Sequence, residues 1–151
     1  MITMDMDRTA KSHRLRLGRT SESGRFYLLT TVTQNRAPVF SDLQAARNMI
    51  QILARQEALG RVISHAFVIM PDHLHWLVQL QDDQLDSLMQ RIKSISSHQI
   101  KPLRWQAGFH DHALRREEDL KKVARYIIAN PLRAGLVENV GDYPHWDAVW
   151  V

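Results

Sequence analysis

The sequence predicts one α+β domain with a mainly antiparallel sheet and helices packed on it. Three observations support this fold class. Strand-like and helix-like apolar patterns alternate in the order β-α-β-β-α-β-α. Pro71-Asp72 joins two apolar segments so closely that an antiparallel hairpin is favoured. The chain has 151 residues, a common length for one domain, and it contains no internal repeat or obvious linker.

The first strand and the first helix are predicted from local composition. Residues 25–33 are rich in aromatic and β-branched side chains, which favours a strand. A helix is predicted to open at Ser41, where Gln44 completes a capping box, and to end at Gly60.

The remaining elements follow from periodicity and from the prolines. Two strands are predicted on either side of the Pro71-Asp72 turn, and the later helices each carry one apolar stripe. The final segment, with two tryptophans, is expected to pack back on the domain. The predicted ranges are strands 61–70 and 73–80, a helix over 84–99, a loop and short strand within 105–115, a helix over 117–130, and the tail 141–151.

Composition excludes several protein classes. Hydrophobic residues make up 44% and charged residues 24%, which is typical of a globular protein and not of a disordered one. The absence of cysteine excludes disulfides and cysteine-ligated zinc, and it fits a reducing cytoplasm. The apolar runs are too short to span a bilayer. We therefore expect a cytoplasmic protein without a membrane partner.

The charge balance favours a polyanionic partner. Net charge is +4, and arginine supplies 15 of the 20 basic residues. Arginine binds phosphate oxygens in a bidentate manner and stacks on bases. Residues 1–24 are predicted to form a basic arm that carries Arg14 and Arg16, with an ordinary disordered tail as the alternative. Residues 25–151 are predicted to form the folded domain.

His73-Leu74-His75 is the sharpest local feature. Side chains alternate across a strand, so the two imidazoles point to the same face while Leu74 points to the other. Two adjacent imidazoles can share a divalent cation. The alternative is a pair of histidines that only make hydrogen bonds, although polar rings in so apolar a strand cost stability without partners.

Tyr126 and Asn130 are the second feature. They are four residues apart on the last predicted helix, beside its apolar stripe, so both could face the pocket of the histidines. Tyr126 could supply a phenolate nucleophile and Asn130 a neutral oxygen ligand. The alternative is a boundary tyrosine and a helix C-cap before Pro131.

A third cluster lies within residues 105–115. Its histidines and Asp111 could form a second metal site. It could equally be a loop that orders the pocket and offers Arg115 to a phosphate. The sequence alone leaves both interpretations open.

Three segments together resemble one known family. VIMPDHLHWLV (68–78), WQAGFHDHALR (105–115) and YIIANPLRAGLV (126–137) occur in the order and at the intervals of the single-tyrosine His-hydrophobic-His (HUH, IS200-like) transposases. The branch they most resemble is that of the REP-associated tyrosine transposases. Residues 36–40 and the ending DYPHW (142–146) also fit, so the resemblance covers nearly the whole chain.

The resemblance implies a ferredoxin-like, RRM-like fold and a set of roles. His73, His75 and Asn130 match metal ligands for Mg²⁺ or Mn²⁺, and Tyr126 matches the nucleophile. The implied partner is single-stranded DNA beside a hairpin of the repetitive extragenic palindrome (REP) type in a bacterial nucleoid. The implied reaction is nicking and strand transfer through a 5′-phosphotyrosine, by a monomer in preference to a dimer. Arg133 is the first candidate for a DNA backbone contact.

Two other functions remain open at the level of sequence. One is a metal-dependent nuclease or hydrolase that uses water, with a structural Tyr126. The other is a non-catalytic regulator that binds hairpin DNA. Relatives often carry Pro-Asn or Pro-Glu where this chain has Pro71-Asp72, and that departure is expected to be harmless.

Overall fold

One five-stranded antiparallel sheet organises the fold. The computed structural model describes residues 21–115 and 117–148. The elements are β1 Phe26–Val32, α1 Leu43–Ala58, β2 Val62–Met70, β3 His73–Leu80, α2 Leu85–Gln99, β4 His110–Leu114, α3 Glu117–Ile128, α4 Asn130–Arg133 and β5 Trp146–Ala148. The strands lie in the order β4-β1-β3-β2-β5, and all neighbouring strands are antiparallel. The α+β class and the hairpin of the second and third strands are thus confirmed.

The two faces of the sheet bury two separate cores. Strand alternation sends Leu74 and Trp76 to the face that α1 and α2 cover. Leu28 and Leu77 point to the opposite face, against α3. The stripe predicted for α3 is buried there, and each of its larger members contributes about 1.5–3 kcal/mol by leaving water. The stripe consists of Leu120, Val123, Ala124 and Ile127.

The cap of α1 differs from the prediction. Ser41 closes a short 3-10 turn, Val39–Ser41, and does not open the helix. Asp42 has the extended backbone of an N-cap, and its Oδ2 accepts a hydrogen bond from Ala45 N at 2.9 Å. The expected capping box of Ser41 and Gln44 is therefore wrong, because the turn before the helix shifts the cap by one residue.

The helix that carries Tyr126 stops before Pro131, as predicted, and a short helix that was not predicted follows it. α3 ends at Ile128, and the four-residue α4 begins at Asn130 with Pro131 in its first turn. Proline lacks an N–H and fits a first turn, so α4 begins here instead of α3 continuing. Asn130 is consequently the first residue of a new helix and not a C-cap.

Both ends of the described chain pack on the domain. The tail adds β5 to the edge of β2, and Tyr143 Oη donates to Ile69 O at 2.6 Å. At the other end, part of the predicted arm is bonded to the domain, since Ser21 Oγ accepts from Leu85 N at 3.1 Å. Arg14 and Arg16 lie outside the described residues. Within those residues no helix is both long and apolar enough to cross a membrane.

Candidate active site

A polar row crosses the face of the sheet that α3 covers. His75 on β3 is in register with Thr30 on β1, and Thr30 is in register with His110 on β4. His75 is only 3% exposed, and its Nδ1 lies 2.8 Å from the fully buried Thr30 Oγ1. This bond fixes the ring and directs Nε2 away from the strand, as the second partner of a metal-binding histidine does.

His73 is held in the same manner by its neighbour in the chain. Its Nδ1 lies 2.7 Å from Asp72 Oδ1, so it donates to that carboxylate. Asp72 Oδ2 in turn accepts from Arg36 at 3.2 Å. The rings of His73 and His75 stand edge to face with centroids 4.9 Å apart. The predicted histidine pair therefore shares one face, with both Nδ1 atoms occupied.

Asn130 reaches this pair from α4. Its amide Nδ2 lies 3.3 Å from His73 Nε2, and its Oδ1 accepts from Arg133 at 3.3 Å. The break before Pro131 starts the short helix at Asn130 and so places the amide beside the imidazole. Asn130 is thus in direct contact with a predicted ligand 57 residues away along the chain.

Tyr126 joins the group through Arg133. The tyrosine is half-buried and packs against the α3 core. The Arg133 guanidinium carbon lies 4.0 Å from the centroid of its ring, a cation–π geometry. The exposed Arg133 therefore contacts both Tyr126 and Asn130. All four predicted site residues belong to one continuous set of contacts.

The electrostatics of the pair suit neutral ligands. Burial lowers the pKa of His75 well below its usual range, and the nearby His73, Arg133 and His110 lower it further. The hydrogen bond from His73 lowers the pKa of Asp72, although burial acts in the opposite direction. Arg36 lowers this pKa further. His75 is therefore neutral near pH 7, the state in which imidazole binds a metal.

Imidazole nitrogen and amide oxygen are both donor types that divalent cations accept. Within the two described ranges, no group of three His, Cys, Asp or Glu side chains is placed to hold a metal ion. A site built on His73 and His75 therefore needs a ligand of another type, and the Asn130 amide already contacts His73 Nε2. Amide oxygen is an ordinary ligand of hard cations, while imidazole also suits softer ones.

The 105–115 cluster does not gather as a second metal site. His110 and His112 share a face of β4, whereas Asp111 points to the other face. Arg115 is exposed directly after β4. The sequence interpretation missed Thr30 and the Asp72 bond to His73. The hydrogen bond between Asp72 and His73 could have been predicted from the sequence, because the two residues are neighbours.

Comparisons with known proteins identify a family. A family model described as IS200-like transposase matches residues 23–130. The REP-associated tyrosine transposase of Escherichia coli K12 is 34% identical over 84 residues, which cover 53% of this chain and 50% of that protein. A relative from Haemophilus influenzae is 33% identical over 97 residues, with 53% and 55% covered. The chain thus spans about half the length of the curated relatives it matches.

A solved structure extends the likeness to the fold. The structure of a REP-associated tyrosine transposase bound to a REP hairpin matches with a TM-score of 0.69 and 26% identity. The match covers 85% of this chain and 79% of that one. With the family model matching well over half of the sequence, this chain belongs to the IS200-like transposase family.

Proposed function

We propose that this protein nicks single-stranded DNA and transfers the strand through a covalent bond to Tyr126. The contact set on the α3 side of the sheet carries this proposal. It joins a phenol to an arginine, an amide and two imidazoles on one face of the sheet. Packing alone does not require this combination, because buried polar rings are costly without partners.

We assign His73, His75 and Asn130 as the ligands of Mg²⁺ or Mn²⁺. The two Nδ1 atoms are engaged by Asp72 and Thr30, which leaves both Nε2 atoms for a cation. The Asn130 amide presents Nδ2 to His73. A rotation of the amide group by 180° would place Oδ1, which can bind a cation, at the position of Nδ2. Two imidazoles favour Mn²⁺ over Mg²⁺, which prefers an all-oxygen shell. A bound cation would polarise the scissile phosphate.

The chain's own residues supply the rest of the chemistry. The Tyr126 oxygen attacks phosphorus and loses its proton. The oxygen–phosphorus bond forms as the bond from phosphorus to the 3′ oxygen breaks, and that oxygen leaves as a hydroxyl after taking up a proton. The strand keeps its 5′ phosphate on Tyr126, ready for rejoining. Arg133 provides positive charge over the ring of the reacting phenol.

We further propose hairpin DNA of the REP type as the substrate. The structural relative that carries a REP hairpin supports this choice. Arg133 is exposed at the site, Arg115 is exposed at the end of β4 that is farther from His75, and both are suited to phosphate contacts. We propose that a monomer carries out the reaction in preference to a dimer, which the contacts among His73, Asn130, Arg133 and Tyr126 within one chain support. Arg14 and Arg16 remain predicted contacts.

The test is the formation of a protein–DNA adduct. Purified protein is mixed with an end-labelled, single-stranded hairpin DNA and Mn²⁺, and covalent complexes are resolved on a denaturing gel. We expect an adduct with the wild type, none with Tyr126→Phe, and none in excess chelator. Tyr27→Phe is the matched control, since Tyr27 lies on the α1 and α2 face, and it should form the adduct normally.

The outcomes separate the competing functions. An adduct that persists in Tyr126→Phe excludes Tyr126 as the nucleophile. Cleavage without a protein-linked product favours a hydrolase that activates water. Tight, salt-dependent binding without cleavage in any metal favours a regulator.

A further inference from the structure

We propose that a cavity between α2 and residues 104–109 binds one unpaired nucleotide of the DNA strand. This inference rests on the proposed function and adds a binding site separate from the candidate active site. The cavity has a volume of about 500 Å³, which is within the range of small-molecule sites. Its residues contribute none of the proposed metal ligands or the nucleophile.

The cavity offers an aromatic wall to a base. Met89 on α2 and Trp105 and Phe109 on the loop form its apolar lining. Trp105 is fixed, because its Nε1 donates to Ser96 Oγ at 2.9 Å and its ring packs on Phe40 with centroids 5.7 Å apart. A fixed indole with one surface open to a cavity is suited to stack on a planar base.

The polar side of the cavity is cationic. Lys93 Nζ donates to Gln106 O at 2.9 Å and to Gly108 O, which holds the loop against α2. An ammonium has three N–H donors. Among the residues that the structure describes, two carbonyl oxygens accept from Lys93, so the third donor remains for a ligand. Burial lowers the pKa of Lys93 to about 8, so it is still charged at neutral pH. Arg104 is exposed at the cavity and adds a second cation, against one carboxylate, Asp86.

The cavity lies close to the candidate active site along the sheet. Trp105 bridges to Thr33, and Gln106 N donates to Val32 O at 2.9 Å. Val32 is the register partner of His73. Two strand spacings, roughly 10 Å, therefore separate this loop from the backbone of His73. The cavity lies on the α1 and α2 side of the sheet and Tyr126 on the α3 side, so a strand bound at both passes around the edge of the sheet.

Charge and shape together favour a nucleotide as the occupant. An apolar ligand would leave Lys93 and Arg104 unused, and a simple anion would leave the Trp105 wall unused. A nucleotide has both a π-face and a phosphate. The net charge of +4 on the chain agrees with a polyanionic strand.

The first experiment maps the contact by photo-crosslinking. A DNA hairpin with an unpaired flank carries 5-iododeoxyuridine at each flank position in turn. After irradiation with the wild-type protein, trypsin releases residues 105–115 as one peptide that contains Trp105 and Phe109. We expect one flank position to crosslink to this peptide. Crosslinks that map only elsewhere overturn the proposal, while the Tyr126 adduct still reports on the proposed function.

The second experiment fills the cavity. Ser94→Trp places an indole in it from an exposed position of α2, and Ser87→Trp is the control on the same helix outside the cavity. We expect Ser94→Trp to weaken binding of the flanked hairpin about 5- to 150-fold, which corresponds to the loss of one stacked base. Binding of a hairpin without a flank should not change, and Ser87→Trp should match the wild type on both DNAs.

Two results would contradict this inference. Equal affinities of Ser94→Trp and the wild type for the flanked hairpin would overturn it and leave the proposed function standing. A wild-type protein that binds no hairpin DNA would overturn both. Arg104→Gln is a second variant, which removes an exposed charge at the cavity without filling the cavity or changing a buried side chain. It should weaken binding of the flanked hairpin and leave binding of the hairpin without a flank unchanged.

Discussion

The Thr30 hydroxyl offers a direct test of how His75 is held. Thr30→Val replaces Oγ1 by a methyl group of nearly the same shape in a fully buried position. It removes the partner that lies 2.8 Å from His75 Nδ1 and leaves this buried ring nitrogen without a hydrogen-bond partner at that position. Thr31→Val is the matched control on the other face. Thr31 Oγ1 is buried and has no hydrogen-bond partner among the residues that the structure describes.

The structure sets the expected magnitude. Leaving a buried donor or acceptor unsatisfied costs about 1–3 kcal/mol. For a chain of this length, a loss of about 2 kcal/mol lowers Tm by roughly 4–8 °C. Loss of a partner behind a metal-binding histidine weakens metal affinity about 10- to 100-fold. Thr31→Val removes an unsatisfied atom, so it should be neutral or stabilising and should bind metal as the wild type does.

Two measurements check this prediction. Urea or thermal unfolding of the metal-free proteins gives the stability difference, and calorimetric titration with Mn²⁺ gives the affinities. The reasoning is refuted if Thr30→Val and Thr31→Val unfold at the same temperature and bind Mn²⁺ equally. A loss of stability without a loss of Mn²⁺ affinity would show that the bond is structural and that His75 is not a ligand.

Three further predictions concern Asp72, Arg133 and Tyr143. Asp72→Ala should weaken Mn²⁺ affinity about 10- to 100-fold in calorimetry, because the His73 ring loses its hydrogen-bond partner. Asp72→Asn keeps an acceptor oxygen and should retain most of the Mn²⁺ affinity. Arg133→Gln should slow adduct formation at saturating DNA about 2- to 30-fold, which corresponds to the free energy of the lost cation–π contact. Tyr143→Phe should lower the free energy of unfolding in urea by about 1–2 kcal/mol, since the Ile69 carbonyl loses its donor. Burial raises the pKa of Tyr143 to about 12 from an ordinary 10.0, so its stabilisation is complete below about pH 10 and is lost as the pH rises toward 12.

Each of these variants has a control. Asp82→Ala removes an exposed carboxylate from the β3–α2 loop and should bind Mn²⁺ normally. Arg125→Gln removes an exposed guanidinium from α3 and should form the adduct at the wild-type rate. For Tyr143→Phe, the stability gap to the wild type should narrow above about pH 10. A constant gap through that range would contradict the assignment of the alkaline loss to Tyr143.

Local sequence patterns determined most of the secondary structure. The predicted strand 73–80 coincides with β3, because alternation and a proline turn are properties of neighbouring residues. The same alternation placed His73 and His75 on one face. The start of α1 was one residue off, since a cap depends on the backbone of the preceding turn, and the Pro131 break was read as the end of a helix. The strand β5 went unpredicted because three residues carry too little periodicity.

The sequence by itself determined the α+β class, the shared face of the histidine pair, and the motifs that mark the family. Only the tertiary structure decided what surrounds that pair. Thr30 and His75 are 45 residues apart, and His73 and Asn130 are 57 apart. Such contacts depend on the register of β1 with β3 and on how α4 meets the sheet. Periodicity identifies which face a side chain takes, but only the packing of the whole domain decides which distant atom it meets there.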